Sequence, residues 1–412
     1  MGIRFTEARI LVTDAGRGSA ISIIRALGRR GCSVVAADSS SGSLGFRSRY
    51  ATDVLLYPDP KHEPRGFSDH LLETVRRDRI DLIIPATDSA MQPLAQARDM
   101  FEAHTRLAIP ANDSLATTSD KLRTVRLAQS LEVPVPETQL VRSSEEALAA
   151  APSLGWPLVL KPQSSYQHRS GHDPESFGVT YAENARDLQA KMAGFEGRCA
   201  VLLQRYQRGV GVGVEMLASH GRILAAFQHR RLHEVPVTGG ASTYRESCRL
   251  DPKLYDFATR LLQALHWTGL AMVEFKRQGP RAVLMEINGR VWGSLPLAIQ
   301  SGMDFPAHLA QLYLEGEHSF PSEPLFDYRV GVRGRDLLRD LGWISAILAQ
   351  KGRYPFLPMP RRRCGVAALF GLLDPRRKTD LGAWDDPMPA LLQVPHIVPR
   401  LLGKARRARA LS

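Results

Sequence analysis

Cysteine is scarce in this chain. The four present (Cys32, Cys199, Cys248 and Cys364) lie far apart, with no CxxC pair and no clustered histidine partner. That excludes a disulfide framework or a structural zinc site and leaves packing as their role. Long apolar runs are missing too, since none approaches the ~20 residues needed to span a bilayer. The opening MGIRFTEARILV runs into a strand-like segment rather than a signal peptide with a cleavage site. The expectation is a soluble, cytoplasmic protein with no transmembrane segment. At 412 residues, 44% hydrophobic and 23% charged, the chain is long enough for two or three packed domains.

Negative charge is in deficit, but unevenly. From Lys351 to Ser412 there are 13 Lys and Arg against 4 Asp and Glu, a net of +9, so of the total +12 only 12 − 9 = +3 belongs to the rest. The basic runs at 361–363, 376–378 and 404–409 suit a solvated, helix-bearing terminal extension. The same charge would also suit peripheral contact with an anionic membrane, an acidic partner or RNA. No aromatic-rich RNA-binding motif accompanies it, and no nucleic-acid partner is expected.

The first 115 residues read as a small parallel α/β domain. RILVTDAG, RGSAISIIRALGRRG and CSVVAADSS give strand, turn, amphipathic helix and strand, and DLIIPATDSA repeats the strand-to-helix pattern. The turn holds only Gly16 and Gly18 in a G-x-G, a weak dinucleotide signal that Asp38, ending the second strand, keeps open. Further on, a Ser-Asp pair caps a helix beginning near Lys121, and the Pro-rich VPVPET that follows must be extended. Lys161 then closes the apolar strand of GWPLVLKPQSS. An ammonium there is costly to bury without an anion, and phosphate is a natural partner. The polar loop 163–178 after it could cover a triphosphate or be a plain hairpin tip.

GLAMVEFKRQGPRAVLMEINGRVWGSL reads as two strands joined by a turn, with Glu274 inside the first and Glu286 ending the second. Across an antiparallel ladder two inward carboxylates can face each other. They repel unless a cation lies between them, so Glu274, Glu286 and the amide oxygen of Asn288 make a Mg²⁺ (or Mn²⁺) site for a nucleotide, with Arg290 in reach of the transferred phosphoryl group. The segment FQHRRLHEVPVTGGASTYRESC reads as a loop between two strands. Its His229, Arg230, Arg231, His233 and Arg245 suit an anionic substrate, and equally a solvated surface; Arg231 is the catalytic candidate among them.

The order Lys121, Lys161, a polar break at 204–206, VEFK and MEINGR resembles the ATP-grasp superfamily, and within it the carbamoyl-phosphate-synthase-like and biotin-carboxylase-like carboxylate-amine ligases. The resemblance implies a mixed α/β and α+β architecture. Residues 1–115 would be a pre-ATP-grasp domain contributing to the acceptor site, and 116–315 an ATP-grasp domain with a lid lobe at about 120–203 and a catalytic lobe at about 204–315. Residues 316–412 would be a basic extension of unassigned role. It also implies ATP as cofactor, with Lys121 and Lys161 on its phosphates and Gln204, Arg205 and Tyr206 lining the adenine pocket. A small-molecule carboxylate and amine would be the substrates, loop 163–178 a closing lid, and a homodimer one expected assembly. One departure stands out. The place where the family carries an acidic ribose ligand is Gly211, which leaves Glu215 as the candidate replacement. Two other classes stay open: a non-catalytic ATP-binding scaffold docked through its basic tail, and a Rossmann oxidoreductase binding NAD at the G-x-G turn.

Overall fold

The structure is a computed structural model and describes residues 4–396 apart from 165, 168–174, 177, 238, 351–355, 358 and 375. Ile10, Leu11 and Val12 run without a polar break because β1 (Arg9–Val12) is central in a sheet covered on both faces. That sheet is parallel, in the order β3-β2-β1-β4-β5, with β2 (Ser33–Asp38), β3 (Asp53–Leu56), β4 (Leu82–Ile84) and β5 (Arg106–Leu107). Its helices are α1 (Gly18–Gly28), α2 (Pro64–Asp78), α3 (Asp88–Gln96) and α4 (Arg98–Glu102). The expected parallel α/β domain is present. Its G-x-G turn is closed by Asp38, whose carboxylate accepts from the N–H of Gly16 (2.7 Å), the N–H of Ser40 (3.0 Å) and the hydroxyl of Ser43 (2.9 Å). The acid on which a dinucleotide reading depended thus folds its own loop.

Next come α5 (Asn112–Ser119) and α6 (Lys121–Ser130). Asp120 caps α6 as the sequence predicts, accepting from the N–H groups of Leu122 (2.8 Å) and Arg123 (3.1 Å). Ala128 of α6 packs in one core with Leu11 and Leu71 of the first domain and Val214 and Phe275 of the large sheet. So α6, expected in the lid lobe, belongs to the body of the molecule. The lid lobe proper is the antiparallel sheet β10-β7-β11-β6, from β6 (Thr138–Val141), β7 (Leu158–Pro162), β10 (Thr180–Ala182) and β11 (Val201–Arg205). Its helices are α7 (Ser144–Leu154) and α8 (Ala185–Met192), and a short ribbon of β8 (Tyr166–Gln167) and β9 (Glu175–Ser176) sits on its loop. Leu160, Leu188 and Leu203 give this lobe a core of its own. Most of the expected lid loop, including residues 168–174, lies outside the described residues.

The third sheet has seven strands, β16-β15-β12-β13-β14-β17-β18. They are β12 (Val210–Ser219), β13 (Arg222–Val235), β14 (Ala241–Ser247), β15 (Gly269–Gln278), β16 (Arg281–Asn288), β17 (Arg333–Arg335) and β18 (Lys378–Thr379). Helices α9 (Pro252–Ala264), α10 (Leu295–Ser301), α11 (Phe305–Glu315), α12 (Leu337–Ala349), α13 (Arg362–Phe370) and α14 (Met388–Leu391) complete the order. Two expectations need correction. His229 to Val235 form no loop but the second half of a 14-residue strand. Its charged residues alternate, Arg230 outward onto Glu246 (2.8 Å) and Arg231 inward onto Glu274 (2.5 Å).

The second correction concerns residues 316–396, which are no solvated extension. β17 pairs antiparallel with β14 and β18 parallel with β17, so the catalytic sheet continues through them. Buried ion pairs fasten the segment: Arg245 to Asp380 (2.5 Å), Arg335 to Asp340 (3.0 Å) and, across to α1, Arg25 to Asp386 (2.8 Å). The ring of His233 stacks on Trp343 of α12 with centroids 3.6 Å apart, its Nδ1 2.7 Å from Asp340. The basic residues 397–412 lie outside the described structure.

Arg25 and Asp386 are both almost fully buried, and Asp386 also accepts from the hydroxyl of Ser48 (2.7 Å) and the N–H of Arg49 (3.0 Å). Asp386→Ala leaves Arg25 charged, buried and without its carboxylate, so stability should fall by about 3 kcal/mol. The urea midpoint at unchanged slope measures this; a loss under about 0.5 kcal/mol would mean that the Arg25–Asp386 pair contributes little to stability.

Candidate active site

The hairpin β15–β16 sets Glu274 directly opposite Glu286 and Met272 opposite Asn288. The two carboxylates therefore face each other as the sequence predicts, and Asn288 lies one ladder step on. Its Nδ2 donates to Oε1 of Glu274 (3.0 Å) and to Oε1 of Glu286 (3.1 Å). Burial pushes the Glu274 carboxyl up to about 7, with Arg231 opposing and Glu286 adding to the rise. Burial also pushes on Glu286, but Lys161, the Asn288 hydrogen bond, Lys121 and Arg231 together hold it below the usual carboxylate range. The pair thus keeps one firm negative charge and one that a bound cation would stabilise.

Two carboxylates and an amide oxygen are the all-oxygen donor set that suits Mg²⁺, which takes its other ligands from water and phosphate. Among the described residues no cluster of three or more His, Cys, Asp or Glu could hold a metal alone.

Four predicted cations converge on this pair. The N–H of Lys121 donates to the carbonyl of Gln163 (3.0 Å) and the Gln163 amide donates to Asp120 (2.8 Å), which brings the start of α6 beside the end of β7. Lys121 and Lys161 line the same cleft. Burial pulls both ammonium groups down, and Glu286 is the leading charge that opposes the fall. Arg290 is held by Asp88 at the start of α3, Nε to Oδ2 at 2.7 Å, and donates to the carbonyl of Val291 (2.9 Å). Asp88 was not picked out from the sequence, where it reads only as the first residue of a helix. Arg231 enters the cleft held on both sides, by Glu274 at 2.5 Å and by Glu234 at 3.2 Å.

The cleft between lid lobe and large sheet encloses about 460 Å³, and a second chamber of about 430 Å³ opens on α3, α5 and α6 past Lys121, Lys161, Glu286 and Arg290. Of the hinge residues, Gln204 is buried and donates to the hydroxyl of Thr138 (2.9 Å), while Tyr206 packs edge-on to Tyr181 (centroids 5.9 Å apart) under the ammonium of Lys276 (5.4 Å). Arg205 turns its guanidinium out of the cleft, donating to the carbonyl of Leu154 (2.8 Å) and pairing with Glu137 (2.9 Å), so only its backbone is placed to line an adenine pocket.

Glu215 is not where a ribose ligand must be. It is fully buried, its Oε1 2.6 Å from Nδ1 of His229 and 3.4 Å from the hydroxyl of Ser294, and it does not line the cleft. Burial raises its carboxyl above the usual range, with His229 opposing. The reason that position 211 is glycine is visible as well. A Cβ there would lie 2.7 Å from Cδ of Arg231 and 2.8 Å from Oε1 of Glu234. The space of the absent side chain is filled from the neighbouring strand, and Glu234 is the carboxylate that lines the cleft at that place.

Residues 198–333 match the family described as "ATP-grasp in the biosynthetic pathway with Ter operon". The carbamoyl phosphate synthase large chain of Thermus thermophilus is 28% identical over 239 residues, 56% of this chain and 23% of that one. The chain thus spans about a quarter of the first curated relatives that it matches. The formate-dependent phosphoribosylglycinamide formyltransferase of Parasynechococcus marenigrum is 28% identical over 317 residues, 74% of this chain and 76% of that one. Among solved structures, N5-carboxyaminoimidazole synthetase from Staphylococcus aureus complexed with ADP superposes with a TM-score of 0.62 at 16% identity, covering 84% of this chain and 86% of that one. The biotin carboxylase domain of 2-oxoglutarate carboxylase from Hydrogenobacter thermophilus, in complex with MgADP and bicarbonate, does so at 0.62 and 17%, covering 79% and 73%.

The class is thereby defined: this chain carries the ATP-grasp fold, preceded by a parallel α/β domain. By sequence it is similar to an ATP-grasp family over residues 198–333 and to the carbamoyl phosphate synthase large chain over 239 residues, and its fold is similar to that of a biotin carboxylase domain.

The two roles considered for Glu215 separate experimentally. Glu215→Gln should leave the affinity for ATP within about twofold while lowering stability by about 2 kcal/mol, because the buried His229 loses a charged partner. Nucleotide titration and chemical unfolding of one preparation read both; a large loss of affinity without loss of stability would restore the ribose role.

Proposed function

We propose that the protein is an ATP-dependent carboxylate-amine ligase, which phosphorylates a small-molecule carboxylate and couples the acyl phosphate to an amine. The observation that carries this reading is the convergence of Glu274, Glu286 and Asn288 with Lys121, Lys161 and Arg290 at the junction of a two-lobed cleft. A carboxylate oxygen of the substrate attacks the γ-phosphorus of ATP as the bond to the ADP oxygen breaks. The amine nitrogen then attacks the acyl carbon and loses a proton, and phosphate leaves.

In this proposal Lys121 and Lys161 hold the phosphate oxygens, Arg290, kept in place by Asp88, steadies the transferred group, and Arg231 keeps Glu274 in position. Mg²⁺ (or Mn²⁺) held by Glu274, Glu286 and Asn288 would supply charge neutralisation on the phosphates. No nucleophile or covalent intermediate on the protein is required, because phosphoryl transfer depends on positioning and on neutralising charge. The cleft at 204–206 takes the adenine, and Glu234 accepts the ribose hydroxyls in place of the missing side chain at 211. The chain works in the cytoplasm, and assembly as a homodimer belongs to the same proposal, on its likeness to a biotin carboxylase domain dimer.

A non-catalytic scaffold has less to support it. Its argument was the glycine at 211, and that glycine is accounted for by Arg231 and Glu234. Two buried carboxylates facing one another are costly to keep without a use. An oxidoreductase has less still, with Asp38 committed to its own loop.

Two measurements test the proposal. Purified protein with ATP and Mg²⁺ should release ADP and phosphate only in the presence of a carboxylic acid and an amine from screened pools, and Glu286→Gln or Lys161→Ala should cut turnover at least about a hundredfold, or ~3 kcal/mol of transition-state stabilisation, without unfolding the protein. AMP and pyrophosphate as products would replace the acyl-phosphate mechanism by adenylation. Separately, Glu234→Gln should raise KM for ATP about tenfold with kcat little changed, the pattern of lost uniform binding; an unchanged KM would remove Glu234 from the nucleotide site.

A further inference from the structure

Helix α13 turns an apolar stripe to the solvent. Gly365 and Ala368 are its buried residues, and a Cβ at Gly365 would lie 3.0 Å from Cδ2 of Leu348, so the helix rests closely on α12 through its small side. Its large residues face the other way. Val366 is 43% exposed, Leu369 40%, Phe370 67% and, in the turn that follows, Leu373 81%. Within α13 the spacing 366, 369, 370 lines a single helical face, normally the face a helix hides, and Leu373 in the following turn adds a fourth exposed apolar side chain. Isolated exposed apolar residues are ordinary, but a continuous stripe of four large ones marks a contact surface.

The rim of the stripe is basic. Arg361, Arg362 and Arg363 are exposed at its start, and the sequence from Arg361 to Leu373 contains no acidic residue. The next acid, Asp374, is paired with Arg377 at 3.1 Å. Trp384, fully exposed, lies in the same C-terminal segment.

We propose that this face docks the protein peripherally onto an anionic lipid bilayer, the stripe at the boundary of headgroups and acyl chains and the arginines on the lipid phosphates. Charge selects the occupant. An apolar stripe with a basic rim and no carboxylate is complementary to a surface dense in phosphate, whereas a second copy of the same face would bring arginine against arginine. The contact lies on the membrane and does not cross it: α13 has 9 residues, and among the described residues no helix is long and apolar enough to span. Residues 397–412 add five positive charges and no negative one to the same attraction.

The test is co-sedimentation of the full-length protein with vesicles of phosphatidylcholine alone or mixed with phosphatidylglycerol. Binding is expected only to the mixed vesicles, falling at least about tenfold between about 0.1 and 0.5 M salt as the screening length contracts. Phe370→Asp with Leu373→Asp, and separately Arg361, Arg362 and Arg363 all changed to Ser, should each weaken it at least about tenfold with the melting temperature unchanged. A chain ending at His396 should keep binding above that of the Phe370/Leu373 variant. Three results overturn the proposal. One is equal binding by the Phe370/Leu373 variant and the parent. Another is loss of all binding on removal of 397–412. The third is a dimer in light scattering that Phe370→Asp turns into monomer, which would make the face a contact between copies of this chain.

Discussion

Two carboxylates placed opposite each other on neighbouring strands are the constraint around which this molecule is arranged. Glu274 and Glu286 cannot both stay charged in a buried cleft unless positive charge surrounds them. The surroundings provide it from every side: Arg231 from the next strand but one, Lys161 from the lid lobe, Lys121 from the start of α6, and Asn288 as a neutral donor between the pair. The body of the molecule and the lid lobe have separate cores. Lys161 and the Gln163–Asp120 contact are therefore part of what sets the lid lobe against the body, and the same contacts are the ones that anionic phosphates would displace or join.

How far this could be read from the sequence depends on the period of the pattern. Glu274 and Glu286 are legible because a short turn joins two apolar strands, and ladder pairing follows from its length. Lys121 is legible from the Asp120 cap. The segment 227–247 was misread because its inward and outward residues are both charged. Alternation of Arg230 and Arg231 carries no hydrophobic contrast, and only pairing with Glu246 on one side and Glu274 on the other reveals a strand. Glu215 was misplaced for a related reason. Strand alternation puts it on the same face as Gly211 and Gly213, which is correct, but the turn ahead of α10 that seals it from the cleft comes from residues almost 80 positions later, Ser294 among them.

The C-terminal quarter was opaque because its ties are single long-range ion pairs. Nothing near Asp386 in the sequence announces Arg25, nor anything near Asp380 announces Arg245. Local composition gave a basic, Pro-broken stretch, and net charge encouraged the picture of a solvated extension. Net charge is a poor guide there, because several of the segment's charges are buried and matched: Arg335 and Asp340 are internal to it, while Asp380 and Asp386 reach to the large sheet and to α1. Among the described residues, Arg361, Arg362 and Arg363 at the rim of α13 are exposed to solvent.

This division bears on how the cleft is built. Asp336, Arg339 and Asp380 all line it beside Arg17 and Arg245, so its far end is enclosed by three regions that are remote in sequence: the first turn of α1, β14 and the segment after β17. Residues 198–333, which match the family model, hold both acidic metal candidates, Arg231 and the β14 part of that wall, but not the parts from α1 and from the segment after β17. A wall that draws on regions outside the carboxylate hairpin can change what a cleft admits while the hairpin is kept. The ion pairs of Asp380 with Arg245 and of Asp386 with Arg25 tie this segment at one end to the large sheet, beside the cleft, and at the other to the first domain.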